Sequence, residues 1–182
     1  MNRTMIALLA APALLLAGCG DSSEEATEAP VAVSTQTLAA MIAGDSDISA
    51  VSQLLSDAGL QGLFDGNAPY TVLAPTNAAF AAVEEALPGD DQRAARVAVI
   101  REHVLPGYLT TADIEAAVRN APDGSVQMQT MGGAPLTFTL EDNTIGVTAA
   151  DGSHALLQAG ELLASNGVAI RVDGVLKNLD AQ

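Results

Sequence analysis

The sequence predicts an α+β fold with helices in the first part of the chain and strands in the second. Between Val51 and Ala58 the apolar residues fall at i, i+3, i+4 and i+7, which is the period of an amphipathic helix. Beyond Pro122 apolar and polar residues alternate, as they do in a strand with one buried face. A third indication is segment 70–80, which combines a strand, a break and the start of a helix.

Five helices are predicted. A short one comes first, and the helix around Val51 stops at Gly59, because glycine readily takes the left-handed conformation that ends many helices. The third begins within segment 70–80, the fourth is interrupted by Pro106, and the fifth begins at Thr110 or Thr111, whose hydroxyl can cap it. The predicted ranges are 38–42, 51–58, 78–86, 92–103 and 111–118.

Five strands are predicted from runs of β-branched and apolar residues with alternating polarity. Turn residues such as Gly132-Gly133 and Asp151-Gly152 separate them. Segment 155–164 is rich in apolar residues but fits neither period, so its structure stays open. The predicted strands cover 71–74, 126–130, 136–140, 145–148 and 168–175.

Segment 70–80 also carries a family signature. Thr71 opens the strand, and Pro75 ends its hydrogen-bond ladder because proline has no N–H. Thr76 or Asn77 can accept from the first free helical N–H groups, and Phe80 lies in the helix that follows. This order resembles the first signature of the fasciclin (FAS1) domain, Thr-Val-Phe-Ala-Pro-Thr-Asn-x-Ala-Phe, with a leucine here where phenylalanine is common.

Residues 165–176 form a turn followed by an alternating strand. Asn166 and Gly167 are expected to supply the two positive-φ positions of a tight turn. The string resembles the closing signature of the same family, Ser/Thr-Asn-Gly-Val-Ile-His-Val-Ile-Asp-x-Val-Leu. Asp173 matches the aspartate of that signature, and Arg171 stands where a histidine is frequent.

The string from His103 to Tyr108 resembles the family's middle signature, in which a Tyr-His pair precedes a Val-x-Pro-Gly turn. Glu102 replaces the tyrosine of that pair. We interpret His103 as a buried residue whose hydrogen bond holds the turn at Pro106 and Gly107.

The resemblance extends over about residues 35–179 and implies the FAS1 fold, a wedge-shaped β-sandwich of about seven strands with helices packed along one edge. It also implies use outside the cell for adhesion and protein–protein contact. In animal members an Asp-Ile pair before Asn-Gly-Val is linked to receptor binding, and Glu161-Leu162 hold those positions here. Glu161, Leu162, His103 and Tyr108 are therefore the candidate partner-binding residues.

The N-terminus reads as a bacterial lipoprotein signal peptide over residues 1–18. An apolar run of about twelve residues is too short for a bilayer span, which needs roughly twenty. It is followed by Leu16-Ala17-Gly18-Cys19, which resembles a lipobox and predicts lipid attachment at Cys19. Residues 19–34 are then an acidic disordered tether, and 35–182 a single FAS1 domain.

Location follows from the same N-terminal pattern. The predicted lipid holds the protein to a membrane of the cell envelope, outside the cytoplasm. The aspartate that resembles an inner-membrane retention signal is absent directly after Cys19, where Gly20 stands. This favours the outer membrane over the inner.

The charge excludes some function classes. The formal net charge is -15, from 22 acidic and 7 basic residues, and the arginines are scattered along the chain. Such a surface repels nucleic acid, so we expect no nucleic-acid partner. His103 and His154 lack metal-ligand spacing and the chain has no phosphate-binding motif, so we expect no metal, no cofactor and no enzymatic activity.

The sequence thus favours a lipid-anchored binding module that mediates adhesion or contact with an envelope or extracellular matrix protein. One alternative is a periplasmic carrier of a small apolar ligand held between the helices and the sandwich. Another is a hydrolase with an unrecognised site near His103.

Overall fold

The computed structural model describes residues 34–178. The predicted signal peptide, Cys19 and nearly all of the tether lie outside the described residues. The helices are α1 (Leu38–Gly44), α2 (Ser49–Asp57), α3 (Gln61–Phe64), α4 (Asn77–Ala86), α5 (Arg93–Glu102) and α6 (Thr111–Asn120). The strands are β1 (Tyr70–Pro75), β2 (Val104–Pro106), β3 (Ser125–Gln129), β4 (Pro135–Glu141), β5 (Thr144–Ala149), β6 (His154–Leu156), β7 (Leu162–Ala164) and β8 (Gly167–Val172).

The strands form two four-stranded sheets. The first has the order β2-β1-β8-β7, in which β1 and β8 run parallel, and the second is an antiparallel meander in the order β3-β4-β5-β6. A bridge between Leu157 and Val172 connects the two sheets. This is the predicted α+β sandwich.

The first sheet is buried on both faces because its side chains alternate between two cores. Val72 and Ala74 of β1 pack against α1, α2, α4 and α5. Leu73, between them, points into the second core, which contains Phe138 of the other sheet and Ile114 of α6. A strand with two apolar environments reads as a continuous apolar run, as segment 71–74 does.

The five predicted helices and five predicted strands are all present, with ends that differ by a few residues. The structure adds α3 and the three-residue strands β2, β6 and β7. The described residues therefore contain eight strands where the resemblance implied about seven. β8 also ends at Val172, before the predicted limit of 175.

Helix caps come partly from the predicted residues. Thr76 is the N-cap of α4 and accepts from the backbone N–H of Ala79. Thr110 and Asp113 form a capping box at α6. None of the helices within residues 34–178 is long and apolar enough to cross a membrane.

Asn166 and Gly167 are predicted from the sequence to supply the positive-φ positions of a tight turn. This prediction is wrong, because neither residue has a positive φ. Glycine is needed at 167 because the strand lies very close to its neighbours. A Cβ there would come within 2.7 Å of Leu38 Cδ2 and closer still to the carbonyl oxygen of Tyr70. The two-residue turn with positive φ is Asp142-Asn143, between β4 and β5.

Candidate functional site

The first candidate, Glu161, lies directly before β7 and binds the start of α6. Its Oε2 accepts from the backbone N–H of Thr111 at 2.7 Å and from the Thr111 hydroxyl at 2.8 Å. A carboxylate at a helix N-terminus satisfies a free N–H and interacts favourably with the helix dipole. Glu161 therefore connects the loop before β7 to α6 and is not a free surface charge.

Leu162, the second residue of the pair, begins β7. It is half-buried against the helix-side core, which is the core that Val72 and Ala74 form with α1, α2, α4 and α5. Its backbone pairs with Ala169 of β8. Leu162 thus contributes to packing, and only part of its side chain is open to a partner.

Tyr108 lies in the loop that leads to α6, and its side chain packs against the core between the sheets. Its hydroxyl is buried without a hydrogen-bond partner among the described residues. Burial, and then the negative charge of Glu161, raise the pKa of Tyr108. The structure therefore brings Tyr108 and Glu161 into one region, which sequence reasoning could not establish.

A groove of about 340 Å³ runs beside Glu161. Thr111 and Glu115 of α6 form one side, and the β4–β5 turn and the loop before β7 form the other. Ile145 and Leu157 supply apolar surface within it. It is open to solvent, so it suits contact with an exposed segment of a partner better than enclosure of a small molecule.

His103 lies elsewhere, at the end of α5, and is completely buried. Its Nδ1 lies 2.9 Å from the carbonyl oxygen of Val99, and its Nε2 accepts from the backbone N–H of Leu176 at 2.9 Å. Since a carbonyl only accepts, the proton is on Nδ1. Burial lowers the pKa of His103 to about 4, so the ring is neutral near pH 7.

The predicted role of His103 needs one correction. The histidine is buried and hydrogen-bonded as expected, but it connects α5 to the segment after β8 and does not hold the turn at Gly107. Thr71 holds that turn: its hydroxyl donates to the Gly107 carbonyl at 2.9 Å and accepts from the N–H of Leu109 at 2.9 Å.

The other signature residues connect distant parts of the fold. Asn77 accepts from the N–H of Ala50 and thereby caps α2 from outside that helix. Asn166 accepts from the N–H of Leu38 at 2.7 Å, and it donates to the carbonyls of Phe64, the last residue of α3, and Gly66 beyond it. Asp173 accepts from the N–H of Leu156 at 2.7 Å. Pro75 ends β1 and Phe80 is buried in the helix-side core.

The clustering of basic residues on one helix was not predicted from the sequence. Three of the arginines that looked scattered, Arg93, Arg96 and Arg101, are on α5. Their spacing within nine residues was a visible signal. Arg171, at the position of the family's histidine, forms an ion pair with Asp45 and donates to the carbonyl of Gly160.

No group of three or more metal-ligating side chains occurs within the part of the chain that the structure describes. Several of the acidic residues there are helix caps or partners of single cations, such as Asp113 at α6 and Glu102 beside Lys177.

Comparisons with known proteins agree with this architecture. The fasciclin domain model matches residues 46–178. Protein sll1483 of Synechocystis sp. (strain ATCC 27184 / PCC 6803 / Kazusa) is 28% identical over 147 residues, which cover 79% of this chain and 74% of that protein. The structure of a FAS1 domain pair from the insect cell adhesion molecule fasciclin I matches with a TM-score of 0.67, at 13% identity over 80% of this chain.

The chain spans about half the length of that insect structure, 52%, so it corresponds to one domain of the pair. The fold and its surfaces define a helix-flanked sandwich module of the FAS1 type. The chain belongs to the fasciclin domain family.

Proposed function

We propose that this protein is a lipid-anchored, extracytoplasmic binding module that mediates adhesion or protein–protein contact at the bacterial envelope. The observation that carries the proposal is membership of the fasciclin family, whose domains generally act in adhesion or protein interaction. The predicted lipid at Cys19 would attach it to a membrane, the outer rather than the inner, and the partner would be an envelope or extracellular matrix protein.

The contact of Ser34 with β7 supports a tether that joins the domain there. The N–H of Ser34 donates to the carbonyl oxygen of Leu163 in β7 at 2.8 Å, so this last residue of the predicted tether is part of the folded domain. The fifteen residues from Cys19 to Val33 could extend to about 50 Å. That length is enough to hold a domain of this size clear of the lipid headgroups.

The surroundings of His103 do not support the hydrolase alternative. An acid–base histidine needs a ring nitrogen within reach of a substrate. Both ring nitrogens of His103 are occupied by backbone groups, and the side chain has no exposed surface.

The carrier alternative finds little support in the grooves. One groove of about 590 Å³ lies between α2 and α4, outside the predicted space between helices and sandwich. It is open, and Asp57, Glu84 and Arg96 are part of its lining. An apolar ligand would be poorly shielded from water there.

Attachment assays on a deletion strain test the proposal. Loss of the protein should reduce attachment or aggregation, and re-expression should restore it. A Cys19→Ala form serves as the matched control because it leaves the domain unchanged and removes the predicted lipid site. It should be released from the membrane fraction and should fail to restore attachment. Unchanged attachment of the deletion strain across surfaces and partner cells would refute the adhesion function.

A further inference from the structure

We propose that the outer face of α5 is a docking surface for an acidic amphipathic helix of a partner protein, an inference that rests on the proposed binding function. The α5 face consists of Arg93, Ala94, Val97, Ala98 and Arg101. These positions are spaced i, i+1, i+4, i+5 and i+8, so they form one stripe along the helix.

The charges of the face are unpaired within the described residues. Every other cation in residues 34–178 has a partner: Arg119 pairs with Glu115, Arg171 with Asp45, and Lys177 with Glu102, while Arg96 donates to the carbonyls of Leu87 and Gly89. Arg93 and Arg101 are exposed and form no salt bridge with any carboxylate whose side chain the structure describes. In a chain with 22 acidic residues, these two guanidinium groups remain available to an external anion.

The middle of the α5 face is apolar and borders a groove of about 370 Å³. The wall from α5 consists of Ala94, Val97, Ala98, Arg101 and Glu102, and Met131 and Gly132 of the β3–β4 turn form the other wall. The carboxylate of Glu102 is neutralised by its ion pair with Lys177. The backbone fixes the second wall, because the N–H of Met131 donates to the carbonyl of Val104 and the N–H of Gly132 donates to the backbone carbonyl of Arg101. The groove is therefore part of the folded domain and does not depend on surface side chains alone.

The spacing of the two arginines indicates which kind of partner segment can bind the α5 face. Arg93 and Arg101 are eight residues apart, which is about 12 Å along a helix. A partner helix with carboxylates at i and i+7 spans about 10 Å and can meet both arginines, while apolar residues between them enter the groove. Guanidinium groups bind carboxylates through strong, often bidentate hydrogen bonds.

The rest of the molecule directs an acidic partner to this face. With a net charge of -15, most of the surface repels an anionic segment, so binding at other sites is disfavoured. The same net charge disfavours a large anionic membrane or nucleic acid, which would face the remaining surface as well. A short acidic helix needs only the α5 face.

Fluorescence anisotropy with a defined peptide tests this surface. The probe is a labelled helical peptide with Glu at i and i+7 and Leu at i+3 and i+4, and its comparison has Gln in place of both Glu residues. The full-length purified protein should bind the Glu peptide at least about tenfold more tightly than the Gln peptide at about 0.15 M salt, where long-range repulsion by the net charge is largely screened. Equal affinity for the two peptides, or no binding, overturns the inference.

Two charge reversals locate the binding. Arg101→Glu should weaken binding of the Glu peptide about tenfold or more, and Arg119→Glu should change it less than about twofold. Arg119 is the matched control because it is an exposed helical arginine and the charge change is the same. Equal loss in both variants would indicate only a general electrostatic effect and would overturn the inference.

A cellular assay separates this inference from the proposed function. The deletion strain is complemented with the wild-type gene or with an Arg93→Glu, Arg101→Glu double variant. Failure of the double variant to restore attachment supports the α5 face as the docking surface. Full restoration overturns this inference but not the proposed binding function. If the deletion strain attaches normally, the proposed function fails, and the peptide assay alone decides the surface. Vesicles of anionic lipid that bind wild type but not the double variant would assign the face to lipid instead.

Discussion

At the scale of single residues, His103 is buried as a neutral ring between two backbone groups. Its unfolded pKa is near 6.5 and its folded pKa is about 4, so between these values only the unfolded state binds the proton. Protonation of the unfolded chain therefore destabilises the fold as the pH falls from 6.5 to 4. One group shifted by this amount corresponds to a loss of about 3 kcal/mol by pH 4.

We expect urea unfolding to show this loss between pH 6.5 and 4. His103→Gln should be less stable at pH 7, because an amide cannot match both ring nitrogens, but it should lack most of the slope in this window. The exposed His154→Gln is the control. It removes a hydrogen bond that lowers the pKa of Glu141 from its usual value of 4.5, so it should alter the slope only near and below pH 4.5 and keep the wild-type slope above that pH. Asp113 and Asp151, whose pKa values hydrogen bonds hold below the usual range, affect stability mainly below pH 4. An unchanged slope in His103→Gln would contradict this assignment.

Gly167 provides a second residue-scale prediction. A Cβ at this position would overlap Leu38 and the backbone of Tyr70, so Gly167→Ala should lower the free energy of unfolding by about 1–3 kcal/mol. Gly62→Ala on α3 is the control, because no atom lies within 4 Å of the added Cβ, and its effect should stay within about 1 kcal/mol. Chemical denaturation measures both. Equal stability of the two variants would rule out close approach as the reason for Gly167.

At the scale of elements, the long helices and strands could be predicted because each has enough residues to show a period. The strands β2, β6 and β7 have three residues each, too few for an alternation to be visible. Whether Glu161 and Tyr108 meet depends on how α6 packs beside the loop before β7, which no local pattern contains. The residues of the candidate site could be named from the sequence, but their separation into a Glu161 region and a distant His103 could not.

Asn166 connects three elements, so replacing its side chain should weaken the attachment of all three. Its side chain accepts from the N–H of Leu38 at the start of α1 and donates to the carbonyls of Phe64, which ends α3, and Gly66. Asn166→Ala leaves these partly buried groups unpaired and should cost about 2–3 kcal/mol of stability. Asn166→Asp keeps the acceptor but replaces the donors with a carboxylate oxygen that the two carbonyls repel, so its loss should be at least as large as that of Asn166→Ala. Asn120→Ala, at the exposed end of α6, should change stability by less than about 0.5 kcal/mol. If Asn166→Ala unfolds at the wild-type urea concentration, the hydrogen bonds of the Asn166 side chain do not contribute to the free energy of unfolding.

At the scale of the whole molecule, the two candidate binding surfaces lie at different distances from the point where the tether joins. Ser34 joins at β7, next to Glu161. The opposite edge of the same sheet is β2, three strand spacings or about 14 Å away, and α5 leads directly into it. Binding through the α5 face should therefore tolerate a short tether better than binding in the groove beside Glu161.

Shortening the tether distinguishes the two surfaces. Deletion of residues 22–29 reduces the greatest length before Ser34 from about 50 Å to about 25 Å, without altering the domain. If the α5 face is the binding surface, attachment of cells that produce this variant should stay within about twofold of wild type. A Gly/Ser replacement of equal length controls for the acidic residues that the deletion removes. Loss of attachment on deletion, with full attachment for the Gly/Ser form, would place the partner near β7 and favour the groove beside Glu161.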